Sequence, residues 1–245
     1  MRNFDYTATN YKFNERTNFD GVLREYFLKV YSFMSLGLLI TAISAFAVLN
    51  IPALTQMMFN TQHRYIHGLT GIGQIVSFSP LLMSVYFAYK FNDMTVDSVK
   101  LWFGVYAVLM GMSLSSLGLI YTGTSIVRTF FICSSMFGAM SIYGYSTKKD
   151  LTAIGSFMFM GLIGILICSV VNIFLQSAAL EFALSIIGVI VFTGLIAYDT
   201  QKLKALYYAG GNNNEKLGLM GAFILYLDFI NLFVFLLRFM GSKRN

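Results

Sequence analysis

Two carboxylates stand where water is scarce. Asp228 lies in the run LGLMGAFILYLDFINLFVFLLR, which is apolar almost throughout. Lys216 and Arg238 flank that run, but on a helix they are roughly 18 Å and 15 Å from Asp228 along the axis. A charge near the bilayer centre costs about 2.5–3.5 kcal/mol on insertion scales. Asp228 must therefore face the protein interior and find a partner, water or a proton. Asp199, in LIAYDTQKLKALYY, ends the apolar part of the preceding stretch. Its simplest reading is a local pair with Lys202 at i+3.

The two stretches are joined through YYAGGNNNEK, a strong turn signal. The midpoint between the two aspartates falls at Asn213–Asn214, inside that turn. An antiparallel hairpin folded there brings both acids to the same depth, with the helix axes about 8–10 Å apart. Two inward carboxylates then nearly touch. They cannot both ionise cheaply and would share a proton. Such a pair is a pH-sensitive element: compact when protonated, mutually repelling or cation-binding when not. Oxygen ligands also suit a hard cation such as calcium. The alternative is two unrelated structural acids, Asp199 with Lys202 and Asp228 bonded to a neighbouring helix. Asn231, about one turn beyond Asp228, either lines the same face or makes a helix–helix hydrogen bond.

Positioning such a pair needs a membrane bundle, and the composition is that of one. Of the 245 residues, 57% are hydrophobic and 11% charged, against about 25% charged in a soluble domain; the mean hydropathy is +0.68. Spans of roughly 20 apolar residues are expected at about 30–49, 73–89, 101–121, 126–143, 151–175, 182–199 and 217–237. The fold class is an all-α polytopic membrane protein with seven transmembrane helices. Residues 1–27 form an N-terminal cytoplasmic tail, expected to be mobile, and 28–241 a single seven-helix transmembrane domain. The first residues lack the basic-then-apolar pattern of a cleavable signal, so the first span acts as an uncleaved anchor. No lipidation motif is evident.

The net charge of +6 reads as orientation. Lys and Arg gather in the N-terminal tail and in the connections after the second, fourth and sixth spans, which makes the N-terminus cytoplasmic. Arg238, Lys243 and Arg244 at the C-terminus fit that rule poorly, yet a full crossing of the last span is favoured. No basic patch interleaved with aromatics marks a nucleic-acid surface. Arg128 and Glu181 read as interfacial anchors. Cys133 and Cys168 form no metal-ligand spacing and read as small apolar core residues. His63 and His67 share a helical spacing in the longest loop, but no further metal ligand accompanies them. Small pairs such as Ser134/Gly138, Ser135/Ala139 and Gly218/Ala222 signal close helix packing. Pro80 kinks the second span.

LIAYDTQKLK followed by LYLDFINLF, on the last two of seven spans, resembles the transmembrane Bax inhibitor motif family, in particular its bacterial branch. The resemblance covers most of the chain after the tail, and the last two spans carry nearly all of its specificity. It implies a fold with the last helix central and a pH-sensitive calcium leak channel of the cell inner membrane, with Asp199 and Asp228 as the sensor pair and transient calcium site. In the family a basic residue on the second helix latches one aspartate in the closed state. Here IVSFSPLLMSVYFAYKF has no arginine, and Lys90 at its cytoplasmic end is the candidate latch, with fewer fixed hydrogen bonds to offer. The acidic residue that some relatives carry on that helix is missing. A second implied function is a non-conducting regulator that binds a membrane protease or another membrane partner. No enzymatic activity and no cofactor are expected, calcium being the permeant ion.

An intramembrane aspartyl protease also places Tyr-Asp on one helix and a second Asp on the next. Tyr198–Asp199 matches the first half. The Gly-x-Gly-Asp expected at the second site is replaced here by Leu225, Tyr226 and Leu227 before Asp228. A Pro-Ala-Leu motif is absent, Pro52 and Pro80 being the two prolines.

Overall fold

The computed structural model describes the backbone of residues 6–62, 65–209 and 214–244, and the side chains of 21–60, 68–208 and 215–244. His63, the side chain of His67 and the turn at 210–213 lie outside the described residues, so the paired-histidine reading rests on the sequence alone.

The chain runs through α1 (Tyr6–Asn50), a short α2 (Pro52–Met58), a hairpin of β1 (Phe59–Gln62) and β2 (Tyr65–Leu69), α3 (Gly71–Lys90), α4 (Val96–Ile120), α5 (Gly123–Ser146), α6 (Thr152–Leu175), α7 (Ala178–Ala209) and α8 (Asn214–Met240). Seven of these helices are long and apolar enough to cross a membrane, α1 by its portion Gly21–Asn50. They match the seven spans expected from hydropathy. The expected loop after the first span is instead filled by α2 and the hairpin. α1 is helical across the boundary expected at residues 27 and 28, and Leu23, Tyr26 and Phe27 are buried with Val30 and Met34.

Threonines start three of the spans. Thr70, Thr95 and Thr122 each accept a hydrogen bond from the backbone N–H three residues on, satisfying an otherwise unpaired helix donor. Pro80 lies inside α3 and offers no N–H to Val76. The hydroxyl of Ser79 donates to that carbonyl at 2.8 Å, the kind of repair that lets a proline sit within a span.

α8 occupies the centre and packs against α1, α4, α5 and α7. Leu219, Ala222, Leu225, Tyr226, Leu232 and Leu237 on it are fully buried. Lipid tails are as apolar as these side chains, so helix association depends on close packing and interhelical hydrogen bonds. Both are present. A Cβ on Gly144 of α5 would strike the carbonyl of Ala197 on α7, so only glycine permits that approach. Deeper in the core Thr41 Oγ1 lies 2.7 Å from Tyr226 Oη and 3.1 Å from the carbonyl oxygen of Ala107, joining α1, α4 and α8. Gly218 packs toward Tyr26 of α1 as the small-residue pattern suggests, and Ala222 is fully buried. Gly138 does not: a Cβ there would meet open space. The packed face of α5 is the one carrying Cys133, Phe137, Ser141 and Gly144. Cys133 is buried as expected, whereas Cys168 is exposed on α6.

The end of α8 is tied to the α4–α5 turn. Tyr121 and Lys243 form an antiparallel bridge. Thr122 N donates to Ser242 O at 3.1 Å, and Arg244 N to Ile120 O at 2.7 Å. α8 thus crosses completely, and seven crossings place the start of α1 and the end of α8 at opposite faces. At the face of the α7–α8 connection, Lys100 pairs with Glu215 at 2.7 Å, and Lys216 Nζ donates to Asn92 O at 2.9 Å. Gln201 binds both Lys149 O and Leu151 N at 2.8 Å, holding the α5–α6 connection against α7.

Candidate functional site

Asp199 sits on α7 next to Tyr198, whose ring rests on the bare backbone of Gly155 in α6. On the other side, Thr200 is fully buried, its hydroxyl 3.1 Å from Ser141 Oγ, which accepts from Tyr31 at 3.1 Å. α7 is therefore clamped in rotation by α6 on one flank and by α5 and α1 on the other. That clamp turns Asp199 toward α8.

Asp228 is buried, 5% exposed, near the middle of α8. Its carboxyl and that of Asp199 come within hydrogen-bonding reach of one another. Its Oδ2 has no hydrogen-bond partner. Two ionised carboxylates supply only acceptors, so a hydrogen bond between them needs one shared proton. The two acids at equal distance from the α7–α8 turn thus lie beside one another.

Both acids line a cavity of about 990 Å³ walled by α3, α4, α6, α7 and α8. Asn231 lines it as well. The Asn231 amide donates to Leu227 O within its own helix at 2.8 Å, which leaves its carbonyl oxygen out of that bond. Lys202 also reaches the cavity, with its ammonium 5.7 Å from the centre of the Tyr198 ring. It closes no ion pair with Asp199: among the described residues, ion pairs join Lys29 to Glu25, Lys90 to Asp93 and Lys100 to Glu215.

Lys90 stands apart from the acids. Its Nζ is 3.3 Å from Asp93 Oδ2 at the end of α3, and the residues of α3 that line the cavity are Ser77, Pro80, Leu81 and Ser84. Nothing in the sequence singles out these hydroxyls, or Tyr106 and Ser113 on α4. A serine in an apolar span bonds its own helix so often that it carries no signal, as Ser84 does with Leu81 O at 2.8 Å.

Among the described residues no three His, Cys, Asp or Glu side chains converge on one point. Two carboxylates are a fraction of the six to eight oxygens that calcium takes. An ion held there would keep water or borrow neutral oxygens from the wall, which suits passage better than storage.

Comparison with known proteins bears on the whole chain. The model of a family described as inhibitor of apoptosis-promoting Bax1 matches residues 23–245. An uncharacterised protein of Rickettsia prowazekii is 52% identical over 243 residues, covering 98% of this chain and 99% of that one. A Caulobacter vibrioides protein is 41% identical over 229 residues, covering 92% of each chain. The inner membrane protein YbhL of Escherichia coli is 41% identical over 226 residues, covering 91% of this chain and 93% of that one.

Proposed function

The chain belongs to the Bax inhibitor-1-like family of membrane proteins, and from that premise we propose that it is a pH-sensitive calcium leak channel gated by the proton that Asp199 and Asp228 share. The observation that carries this reading is the meeting of the two carboxyls in a cavity between five spans. With the proton in place, the α7–α8 hairpin is drawn together. Its loss leaves two like charges side by side at low dielectric, which favours separation or a divalent cation between them. Asn231 and the serine hydroxyls of the wall offer neutral oxygens to an ion in transit.

The protein is a multi-pass protein of the inner membrane. We take its N-terminal face as cytoplasmic, because the connections on that face hold most of the lysines and arginines. Lys90 serves as a latch in this reading only by leaving Asp93.

The test is calcium flux into dye-loaded proteoliposomes across an acid-to-alkaline series, with wild type beside Asp199→Asn and Asp228→Asn at matched incorporation. A flux that changes with pH in wild type and loses that dependence in both variants supports the reading. Folded protein with no flux above empty liposomes at any pH overturns it, and leaves a non-conducting regulator of a membrane protease or other membrane partner in its place.

A further inference from the structure

The cavity that holds the acid pair is open to the side. Its flanking walls are α3, which packs on α4, and α6, which packs on α7; α3 and α6 share no extended contact. Leu81 of α3 and Phe159 and Met160 of α6 line the cavity, and they are 61%, 58% and 69% exposed. Both helices are membrane spans, so a gap between them would face hydrocarbon.

The interior suits a guest larger than a metal ion. About 990 Å³ is several times what a calcium ion and one shell of oxygens at about 2.3–2.6 Å would fill. It falls in the range of small-molecule sites, roughly 300–1,000 Å³. The wall is mostly apolar, with the rings of Tyr106, Phe192 and Tyr198 beside the acids. At the back stands the unpartnered Oδ2 of Asp228, a carboxyl 5% exposed.

We propose that this cavity binds lipophilic monovalent organic cations, which reach it from the bilayer between α3 and α6 and seat their charge against Asp199 and Asp228. A cation whose charge is spread over an apolar body gives up little hydration on leaving water, so it reaches a buried carboxylate at a smaller desolvation cost than a strongly hydrated ion pays. Aromatic faces add attraction for the charge, and methionine adapts to the shape of the guest. The titratable groups that face the pair from the cavity wall are Lys202 and Tyr198 of α7 and Tyr106 of α4; α3 and α6 contribute only hydroxyls and apolar groups. The guest thus competes with the shared proton for the same carboxylates. The site rests on the acid pair of the preceding section, but it needs no passage of calcium.

Binding of tetraphenylphosphonium to the purified full chain in detergent, measured by equilibrium dialysis, tests this, with triphenylphosphine oxide as the uncharged counterpart. Wild type should bind the phosphonium saturably and the oxide far more weakly. Asp199→Asn and Asp228→Asn should each weaken the phosphonium about tenfold or more, as expected for loss of one close charge pair in a site shielded from water. Leu81→Trp keeps both acids and, by narrowing the gap, should lengthen the time that dialysis takes to reach its bound plateau. Thermal unfolding checks that each variant is folded; Asp199, the less buried acid, carries the test if Asp228→Asn is not. Phosphonium binding no tighter than the oxide, or unchanged in a folded Asp199→Asn, overturns the proposal. Calcium flux in the same preparations separates the two readings: phosphonium binding without flux retires the channel and keeps this site, and flux without phosphonium binding does the reverse.

Discussion

Tyr198 of α7 packs its ring onto Gly155 of α6, one residue before the acid that meets Asp228. The contact binds the peripheral helix α6 to the wall of the cavity, and it leaves no room for a side chain at position 155. Gly155→Val should therefore displace Tyr198 and loosen α6 from α7. The expected loss is about 1–3 kcal/mol, the usual effect of overpacking. A lowered thermal midpoint in detergent is the measurement; an unchanged midpoint would show that α6 shifts without resistance.

The bond between Tyr226 Oη and Thr41 Oγ1, at 2.7 Å, ties the central helix to α1. Thr41→Val strands the fully buried Tyr226 hydroxyl and should cost about 1–2 kcal/mol. Tyr226→Phe leaves Thr41 bonded to the carbonyls of Gly37 and Ala107, so it should cost less. The double variant should recover part of the Thr41→Val loss. Unfolding in a graded denaturing detergent gives the coupling energy, and strictly additive losses would refute the link.

Asp150, between the fifth and sixth helices, accepts hydrogen bonds from Thr152 N at 2.9 Å and Thr152 Oγ1 at 2.6 Å. These bonds hold its carboxyl below the ordinary aspartate value. A group lowered in the native state stabilises above its unfolded pKa and loses that contribution as pH falls through the native one. Asp150→Ala should lower the protection of amides in the first turn of α6 at neutral pH, measured against their intrinsic exchange rate, to a level wild type reaches only in acid. Asp150→Asn, which can form the same turn, should stay close to wild type.

The bridge between Tyr121 and Lys243 places the C-terminus beside the α4–α5 turn, at the opposite face from Lys148 in the α5–α6 connection. In a background with Cys133 and Cys168 replaced by serine, a membrane-impermeant maleimide added to intact cells should label Lys243→Cys and spare Lys148→Cys. Labelling of both from one side would contradict a complete crossing by α8. Labelling of Lys148→Cys alone would reverse the proposed orientation.

By itself the sequence determined the seven spans, because each is a long apolar run broken by charge or a turn. It also determined that Asp199 and Asp228 share a level, since a tight connection halfway between two residues of an antiparallel helix pair brings them to one depth. The central place of α8 was legible only through the family resemblance. α6 is as apolar as α8, yet little of α6 is buried and most of α8 is. Apolarity cannot tell a neighbouring helix from lipid, because the two are equally apolar. Tertiary structure decided which side chains wall the acids. It brought Ser77, Ser84 and Tyr106 to them from helices far away in sequence. It left Lys90 with Asp93, because an ammonium at a helix end is taken by the nearest carboxylate within reach of its short tether. Rotation of each helix about its own axis made these choices. That rotation is set by close contacts such as Gly144 on Ala197 and Gly155 on Tyr198, which exist only once the helices have met.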